Sequence, residues 1–175
     1  FEGQTISEIA PTVCAREQHP SYREMMRLMG AGARFGSMRI VDFWNQFSVE
    51  EEKQFAAVSV ALGDGTTFVA YRGTDTTLVG WKEDFNMSFA DAVPAQLESV
   101  RYLENVAGRV DGPLRLGGHS KGGNLALYAA LFTSDAVRAR IREVYNNDGP
   151  GLTARMLECP AYPKVEPIVK TYLPQ

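Results

Sequence analysis

The sequence predicts an α/β fold: a mostly parallel central sheet with helices on both faces and an antiparallel N-terminal hairpin. Two observations predict it. In the second half of the chain, apolar strand-like segments alternate with helix-like segments, which is typical of a parallel sheet. In the first half, Asp64-Gly65 separates two strand-like segments, which is typical of a tight antiparallel turn.

Five elements are expected in the first half of the chain and its centre. A helix follows Pro20, because Ser21 and Glu24 have the spacing of a capping box and Gly30 and Gly32 can end it. Three strands come next, at Met38–Phe47, Gln54–Leu62 and Thr66–Arg72. After the loop Gly73–Gly80 and a mostly polar passage, a second helix spans Pro94–Arg109. This helix carries an apolar face at helical spacing: Leu97, Val100, Leu103 and Val106.

The second half completes the predicted sheet. Its elements are the strand Leu114–Gly117, the helix Gly122–Phe132, the strand Ile141–Asn146 and a last strand near Val165–Leu173. We expect a single α/β domain over residues 1–175. We also expect it to be incomplete at both ends, because the chain begins at Phe1 rather than Met and stops just after a strand-like run.

Composition excludes several classes of protein. Hydrophobic residues make up 45% of the 175 residues, which suits one globular core. With 18 Lys+Arg against 21 Asp+Glu, the net charge of -3 argues against a nucleic-acid-binding protein. The apolar stretches are too short for a transmembrane segment. Two cysteines make no disulfide framework, so a reducing, cytoplasmic location is expected.

The clearest motif is G-x-S-x-G, present as Gly118-His119-Ser120-Lys121-Gly122 between a strand and a helix. A serine nucleophile needs this spacing because it lies on a tight strand-to-helix turn that leaves no room for side chains two residues away. The following helix directs free N–H groups and its positive end at a developing oxyanion. The alternative is a glycine-rich turn that only lets a helix pack closely on the sheet.

The segment from Tyr71 to Thr77 is the second informative one, since it ends a strand with Gly73 and a group of hydroxyl residues. An oxyanion hole in this fold takes one N–H from a loop after an earlier strand, and Thr74 is placed to supply it. The alternative is a capped turn in which Arg72 pairs with Asp75, and for these residues and Asp84 we favour such structural roles. Trp81 is interpreted as an anchor of this loop, and the alternative is that it lines the mouth of the pocket.

Five segments carry a resemblance to a known family. They are Tyr71-Arg72-Gly73-Thr74-Asp75-Thr76-Thr77, Gly80-Trp81-Lys82-Glu83-Asp84-Phe85, Val93-Pro94-Ala95-Gln96, Gly118-His119-Ser120-Lys121-Gly122-Gly123-Asn124-Leu125-Ala126 and Asn147-Asp148-Gly149-Pro150-Gly151. Together they resemble the lipase class 3 branch of the α/β-hydrolases, and more closely the bacterial Mbeg1-like family of predicted hydrolases, over about residues 35 to 175.

The resemblance implies roles for particular residues. Ser120 would be the nucleophile, and the backbone N–H of Lys121 and Thr74 would hold the oxyanion. Lys121 departs from the family pattern, because lipases often carry an apolar residue there, and this argues against a long-chain lipid substrate. In class 3 lipases the triad acid would fall near residues 170–174, a stretch that contains no carboxylate here.

The rest of a catalytic triad is not evident in the sequence. In this fold the base is a histidine that follows the nucleophile and the acid, and no histidine follows Ser120. We expect His119 to point away from the serine into the sheet and His19 to be a surface residue that precedes a helix. The base therefore lies beyond Gln175 or is missing. Asp148 follows a predicted strand in the region of a triad acid, and a role in capping its Gly/Pro turn is the equal alternative.

These observations predict a serine hydrolase of the esterase or lipase type. The alternative is a non-catalytic, hydrolase-like binding module that lacks a base. We expect a small-molecule or lipid ester as substrate, no nucleic-acid partner, no integral membrane segment, and no cofactor or metal, since the cysteines and histidines lack metal-ligand spacing. The sequence carries no signature of the oligomeric state.

Overall fold

The fold is a single mixed sheet with helices, seen in a computed structural model that describes residues 1–50, 53–74, 78–87 and 89–174. The strands are β1 (Arg39–Ser48), β2 (Lys53–Ala61), β3 (Thr67–Tyr71), β4 (Leu114–His119), β5 (Ile141–Asn147) and β6 (Val169–Tyr172). The helices are α1 (Ile6–Arg16), α2 (Pro20–Ala31), α3 (Leu78–Asn86), α4 (Pro94–Ala107), α5 (Lys121–Phe132), α6 (Asp135–Arg138), α7 (Ala154–Leu157) and α8 (Tyr162–Val165), and one 3-10 turn spans Glu166–Ile168.

The strands lie in the order β1-β2-β3-β4-β5-β6. β2 is antiparallel to both of its neighbours, whereas β3 to β6 are parallel to one another. The hairpin between β2 and β3 turns at Gly65, whose φ of 79° is a conformation that favours glycine. The predicted α/β-hydrolase-like fold class is thus confirmed, including the antiparallel N-terminal part.

The core lies between one face of this sheet and helices α4 and α5. Phe55, Tyr71 and Tyr102 form an aromatic group there, with ring centroids 6.2 to 6.3 Å apart. The buried Tyr102 hydroxyl donates to the Asp42 carbonyl oxygen at 3.0 Å and lies 2.8 Å from the Ser59 hydroxyl, so it is not an unpaired polar group. These bonds fix α4 across β1 and β2.

The opposite face of the sheet carries exposed apolar side chains at its antiparallel end. Phe43 and Phe47 of β1 are each more than half exposed, and Phe43 borders a cavity with Val58 and Ala70 of the neighbouring strands. A second layer of helices was expected on this face. In the part of the chain that the structure describes, no helix covers β1 and β2 on this side. α4 contacts β1 and β2, and α5 contacts β3, β4 and β5.

Two N-terminal features differ from the sequence expectation. α1 was not predicted, although Thr5 and Glu8 form the capping box that begins it; Pro11 inside the helix hides its pattern. The capping box predicted at Ser21 is wrong. The N-cap of α2 is His19, and the Glu24 carboxylate instead accepts from Arg27 at 2.6 Å.

Two further segments were assigned incorrectly. A loop at Gly73–Gly80 and a mostly polar passage after it were expected where the structure has α3. The last strand is shorter than expected, because α8 and the 3-10 turn occupy its first residues, so that β6 begins at Val169. Pro163 and Pro167 explain the difference, since proline supplies no N–H for a central strand and is tolerated in the first turn of a helix.

The parallel strands β3, β4 and β5 bring their carboxyl ends to one edge of the sheet. Tyr71 pairs with Gly118, and His119 pairs with Asn147. The residues that follow these strands, 72–74, 120–121 and 148–149, therefore lie beside one another. In open α/β sheets, this edge is where ligands bind.

Candidate active site

Ser120 forms the sharp turn between β4 and α5. Its backbone has φ 54° and ψ -129°, which is a rare conformation for a residue other than glycine. The Ser120 N–H donates to the Asn147 carbonyl oxygen at 2.9 Å, and the Ser120 carbonyl accepts from the Gly123 N–H at 2.9 Å. The serine is therefore fixed at the strand-to-helix turn that the sequence predicts.

The glycines of the motif are required by close backbone packing. A Cβ on Gly118 would lie 2.4 Å from the carbonyl carbon of Gly122, and a Cβ on Gly122 would lie 2.2 Å from the Tyr71 carbonyl oxygen. Such distances are shorter than any ordinary contact with carbon. The turn consequently brings α5 against the end of β3, as the spacing of the motif predicts.

Thr74 lies beside this turn. A Cβ on the preceding Gly73 would lie 2.8 Å from the His119 carbonyl oxygen, so the chain after β3 passes directly against the end of β4. The Thr74 hydroxyl donates to a carboxylate oxygen of Asp84 in α3. Asp84 thus orients the Thr74 side chain. Asp75, the other half of the ion pair proposed for Arg72, lies outside the described residues, as do Thr76 and Thr77.

Asp148 follows β5 at the same edge of the sheet. Its φ of 54° is positive, as at Ser120, and its N–H donates to the Tyr172 carbonyl oxygen at 2.8 Å. The next residue, Gly149, packs on the serine turn, because a Cβ there would lie 3.1 Å from the Ser120 carbonyl oxygen. This contact sets the loop of Asp148 against the Ser120 turn.

A cleft of about 380 Å³ joins these residues. The cleft is lined by residues that follow β4 and β5 and by residues at the end of α3: Ser120, Lys121, Asp148, Gly149, Pro150, Asp84 and Met87. Thr74 is adjacent through its bond to Asp84. The other carboxylate oxygen of Asp84, Oδ1, is buried and has no hydrogen-bond partner among the described residues. An unpaired acceptor beside Ser120 is a costly arrangement that suits a site for a donor.

The Lys121 side chain turns away from this cleft. Its ammonium group is 1% exposed and donates to Glu83 Oε2 at 2.8 Å, to Gln54 Oε1 at 2.8 Å and to the Gln54 carbonyl oxygen at 2.9 Å. The argument from Lys121 against a long-chain lipid substrate is therefore not supported, because the Lys121 charge is paired with Glu83 in the interior.

Neither histidine lies where a catalytic base is needed. His119 was expected to pack into the sheet, and this is wrong: alternation along β4 places it on the face opposite Leu114 and Leu116, where it is exposed. His19 is exposed beside Tyr22, at a centroid distance of 4.7 Å. The segment that carries His19 joins the sheet through bonds at Arg39 and Ile40, at the start of β1 and three strands from β4.

α3 presents an apolar surface next to the cleft. Trp81 was interpreted as an anchor of the loop, which is wrong, since it is 64% exposed. Leu78 and Phe85 share its side of the helix at a spacing of three and four residues, and Phe89 packs edge-on to Phe85 at 5.4 Å. Leu78, Phe85 and Phe89 are also mostly exposed. Asp84 of the same helix lines the cleft.

The described residues contain no group of three or more His, Cys, Asp and Glu side chains that could hold a metal ion. None of the described helices combines the length and apolar character that a bilayer crossing requires. Cys14 and Cys159 are both free thiols.

One known protein family matches the part of the chain that forms the cleft. The model of one family, described as Mbeg1-like, matches residues 29–175, which include all of the cleft. The chain belongs to the Mbeg1-like family. A comparison of this Mbeg1-like chain with the curated proteins finds no match.

Among solved structures, the Mbeg1-like chain is similar to a fungal lipase in complex with an inhibitor, which served as a model for interfacial activation in lipases. The two chains share 15% sequence identity, and the TM-score is 0.44. The similar region covers 64% of the Mbeg1-like chain and 47% of the lipase, so this chain spans less than half of the length of that protein.

Sequence reasoning missed a group of buried polar residues beneath the site of the Mbeg1-like chain. Gln96 Nε2 donates to Asn124 Oδ1 at 2.8 Å, which joins α4 to α5. Gln96 Oε1 accepts from the Val93 N–H at 3.0 Å, and Asn124 Nδ2 reaches the Gly151 carbonyl oxygen at 3.4 Å. Gln96 and Asn124 both stand in segments that carry the family resemblance. Their polarity within otherwise apolar helix faces was the available signal.

Proposed function

We propose that this protein is a serine hydrolase that cleaves an ester or a similar acyl bond, with Ser120 as nucleophile. The observation that carries the proposal is the backbone of Ser120, held at φ 54° and ψ -129° between β4 and α5 on the edge of a cleft. Strained backbone at a non-glycine residue is found where function requires it. The surrounding contacts of Gly118 and Gly122 maintain this conformation.

The first chemical step is attack by Ser120 Oγ on the acyl carbonyl carbon. A new C–O bond forms, and the electron pair of the carbonyl π bond moves to the oxygen. The backbone N–H of Lys121, the first residue of α5, and the N–H of Thr74 supply the oxyanion hole in this proposal. The Thr74 hydroxyl donates its one proton to the Asp84 carboxylate, and this bond holds Thr74 in place. Collapse of the intermediate expels the alcohol, and water then releases the acid.

Proton transfer needs a base oriented by an acid. Asp148 is proposed as that acid, supported by its place after the neighbouring parallel strand and by its position in the cleft with Ser120. In the attack step the Ser120 Oγ–H proton passes to the base. We do not propose His19 or His119 for this role, because both are exposed, and the segment that carries His19 joins the sheet three strands from β4.

The substrate is proposed to be a small-molecule or lipid ester with an apolar acyl or alcohol group. The apolar surface of α3 beside the cleft supports this, as does the inward direction of the Lys121 charge. Two free cysteines support a reducing, cytoplasmic location for the reaction.

One observation favours a second candidate function. Because neither histidine can serve Ser120 as a base, the same cleft fits a non-catalytic module that binds an ester-like or apolar ligand without cleaving it. Such a module keeps the turn and the oxyanion donors, and it shows no reaction at Ser120.

A fluorophosphonate probe distinguishes the two functions. We expect the full-length protein to be labelled at Ser120 and Ser120→Ala to be unlabelled. Ser21→Ala, a change at an exposed serine of α2, is the matched control and should be labelled like the wild type. Absence of label on the folded full-length protein, while a known serine hydrolase reacts under the same conditions, would establish the binding module instead.

A further inference from the structure

The residue after the proposed nucleophile has an unusual environment. Lys121 is 1% exposed, and its three hydrogen bonds to Gln54 and Glu83 use all three protons of the ammonium group. It also stands at the first position of α5, where the positive end of the helix dipole repels a cation. The mechanism of Ser120 uses only the backbone of this residue, so the charged side chain calls for a separate explanation.

Glu83 gathers four elements around that charge. Its Oε2 accepts from Lys121 Nζ at 2.8 Å and from the Gln54 N–H of β2 at 3.2 Å. Its Oε1 accepts from the Ala95 N–H in the first turn of α4 at 2.8 Å. Glu83 is itself fully buried in α3. The carboxylate therefore ties α3 to β2, α4 and α5 at a single point.

The chain links this ion pair to the site on both sides. Lys121 follows Ser120, and Glu83 precedes Asp84, whose carboxylate accepts the Thr74 hydroxyl. Two side-chain contacts, Lys121 to Glu83 and Asp84 to Thr74, thus connect the nucleophile to the proposed oxyanion threonine. The path runs through α3, the element that carries both acidic residues.

Stability alone is a weak reason for this arrangement. Removing two charges from water carries a desolvation penalty that an ion pair often fails to recover, and apolar residues of similar size are commonly at least as stabilising. A buried pair that joins four elements instead restricts how they can be placed relative to one another.

We propose that the Lys121–Glu83 ion pair positions the oxyanion side of the site, holding α3 so that Asp84 keeps Thr74 beside Ser120. Lys121 and Glu83 are positioning residues, since neither side chain touches the reacting atoms. The inference rests on the proposed function for its effect on rate, while the placement of α3 is measurable without it.

The test uses the double variant Lys121→Met with Glu83→Gln in the full-length protein. It leaves no unpaired buried charge, and the glutamine oxygen can still accept from Ala95, so it should recover most of the melting temperature that Lys121→Met alone loses. We expect its fluorophosphonate labelling rate and kcat to stay about 100-fold below wild type with little change in KM, because a small displacement of catalytic groups has an effect of that size. A double variant with the wild-type labelling rate would overturn the proposal.

Two further variants complete the design. Arg27→Met with Glu24→Met removes an ion pair in which both side chains are more than half exposed, and it should label like the wild type. If the first double variant does not fold, Glu83→Asp retains the charge but shortens the side chain by one methylene. It should also label more slowly with an unchanged KM, and a wild-type rate would again overturn the proposal.

Hydrogen–deuterium exchange separates this inference from the proposed function. In the Lys121→Met, Glu83→Gln protein, the amides of α3 should exchange at least about tenfold faster, while those of β4 and β5 keep their protection. If wild type is not labelled, the proposed function fails, and exchange in α3 still decides the positioning role. Unchanged exchange in α3 would show that the ion pair does not hold this helix.

Discussion

Ser120 and Asp148 have the same φ of 54° at the ends of the neighbouring parallel strands β4 and β5. Among the residues that the structure describes, they are the two residues other than glycine with positive φ. A hydrogen bond links the two turns, because the Ser120 N–H donates to the carbonyl oxygen of Asn147, the residue directly before Asp148. Backbone strain is thus concentrated at the two positions proposed as nucleophile and acid.

Asp148→Asn separates the chemical role of this carboxylate from its backbone role. Asparagine tolerates positive φ, so the melting temperature should stay close to that of the wild type. If Asp148 is the triad acid, the hydrolysis rate should fall about 1,000-fold or more. Asp111→Asn, at an exposed position, is the control. A fully active Asp148→Asn protein would assign this residue to the turn alone.

Thr74→Val measures the contribution of the threonine hydroxyl. The substitution replaces the group that donates to Asp84 by a methyl group and retains the backbone N–H. We expect a loss of about 100-fold in kcat, because losing the bond to Asp84 displaces the Thr74 N–H, and a small displacement of a catalytic group has an effect of that size. Thr74→Ser keeps the hydroxyl and should retain most activity. An unchanged rate in Thr74→Val would remove the hydroxyl from the mechanism.

Gly122→Ala should destabilise the protein. The added Cβ would meet the carbonyl oxygen of Tyr71 at 2.2 Å, and this atom belongs to the backbone of β3, which cannot move independently. We expect the free energy of unfolding to fall by about 1–3 kcal/mol, measured by urea denaturation. Gly63→Ala provides the comparison, because nothing lies within 4 Å of its Cβ and its change should be within about 0.5 kcal/mol. Equal stability of the two variants would contradict the packing described for the turn.

Acid should weaken the parallel edge of the sheet through Glu143. Hydrogen bonds from Lys170 of β6 and from Tyr145 lower the pKa of the Glu143 carboxyl from 4.5 to about 2. Because its pKa is lower in the folded chain, the carboxylate stabilises the fold fully above about pH 4.5, and this contribution is lost as the pH falls toward about 2. Glu143→Gln should therefore lose less stability than wild type between about pH 5 and about pH 3, as measured by urea unfolding. Equal losses in the two proteins would contradict the assignment.

The elements that sequence reasoning located correctly are those with strong local signals. The hairpin turn at Gly65 needs a positive φ that glycine supplies, and the turn at Ser120 needs the glycines that flank it. The start of α4 coincides with Pro94, which suits the first helical position. In each case the local sequence restricts the backbone strongly enough to be read without tertiary contacts.

The features it missed depend on contacts between distant segments. α3 was not recognised because its large apolar residues are exposed to solvent, while its acidic residues Glu83 and Asp84 are held by Lys121 and Thr74. Leu97, assigned to the apolar face of α4, is 47% exposed, whereas the charged Glu98 is buried against Lys53 and Arg101. Periodicity identifies an apolar face, but it does not identify the buried ion pairs that replace one.

The burial of Lys121 has a consequence for chemical modification of the protein. Acylating reagents react with an accessible, unprotonated amine, and every proton of this ammonium group is engaged in the interior. Lys164, with a side chain 69% exposed, is open to the same reagents. Amine-directed tags and crosslinkers can therefore be attached to the folded chain while Lys121, beside Ser120, stays unmodified.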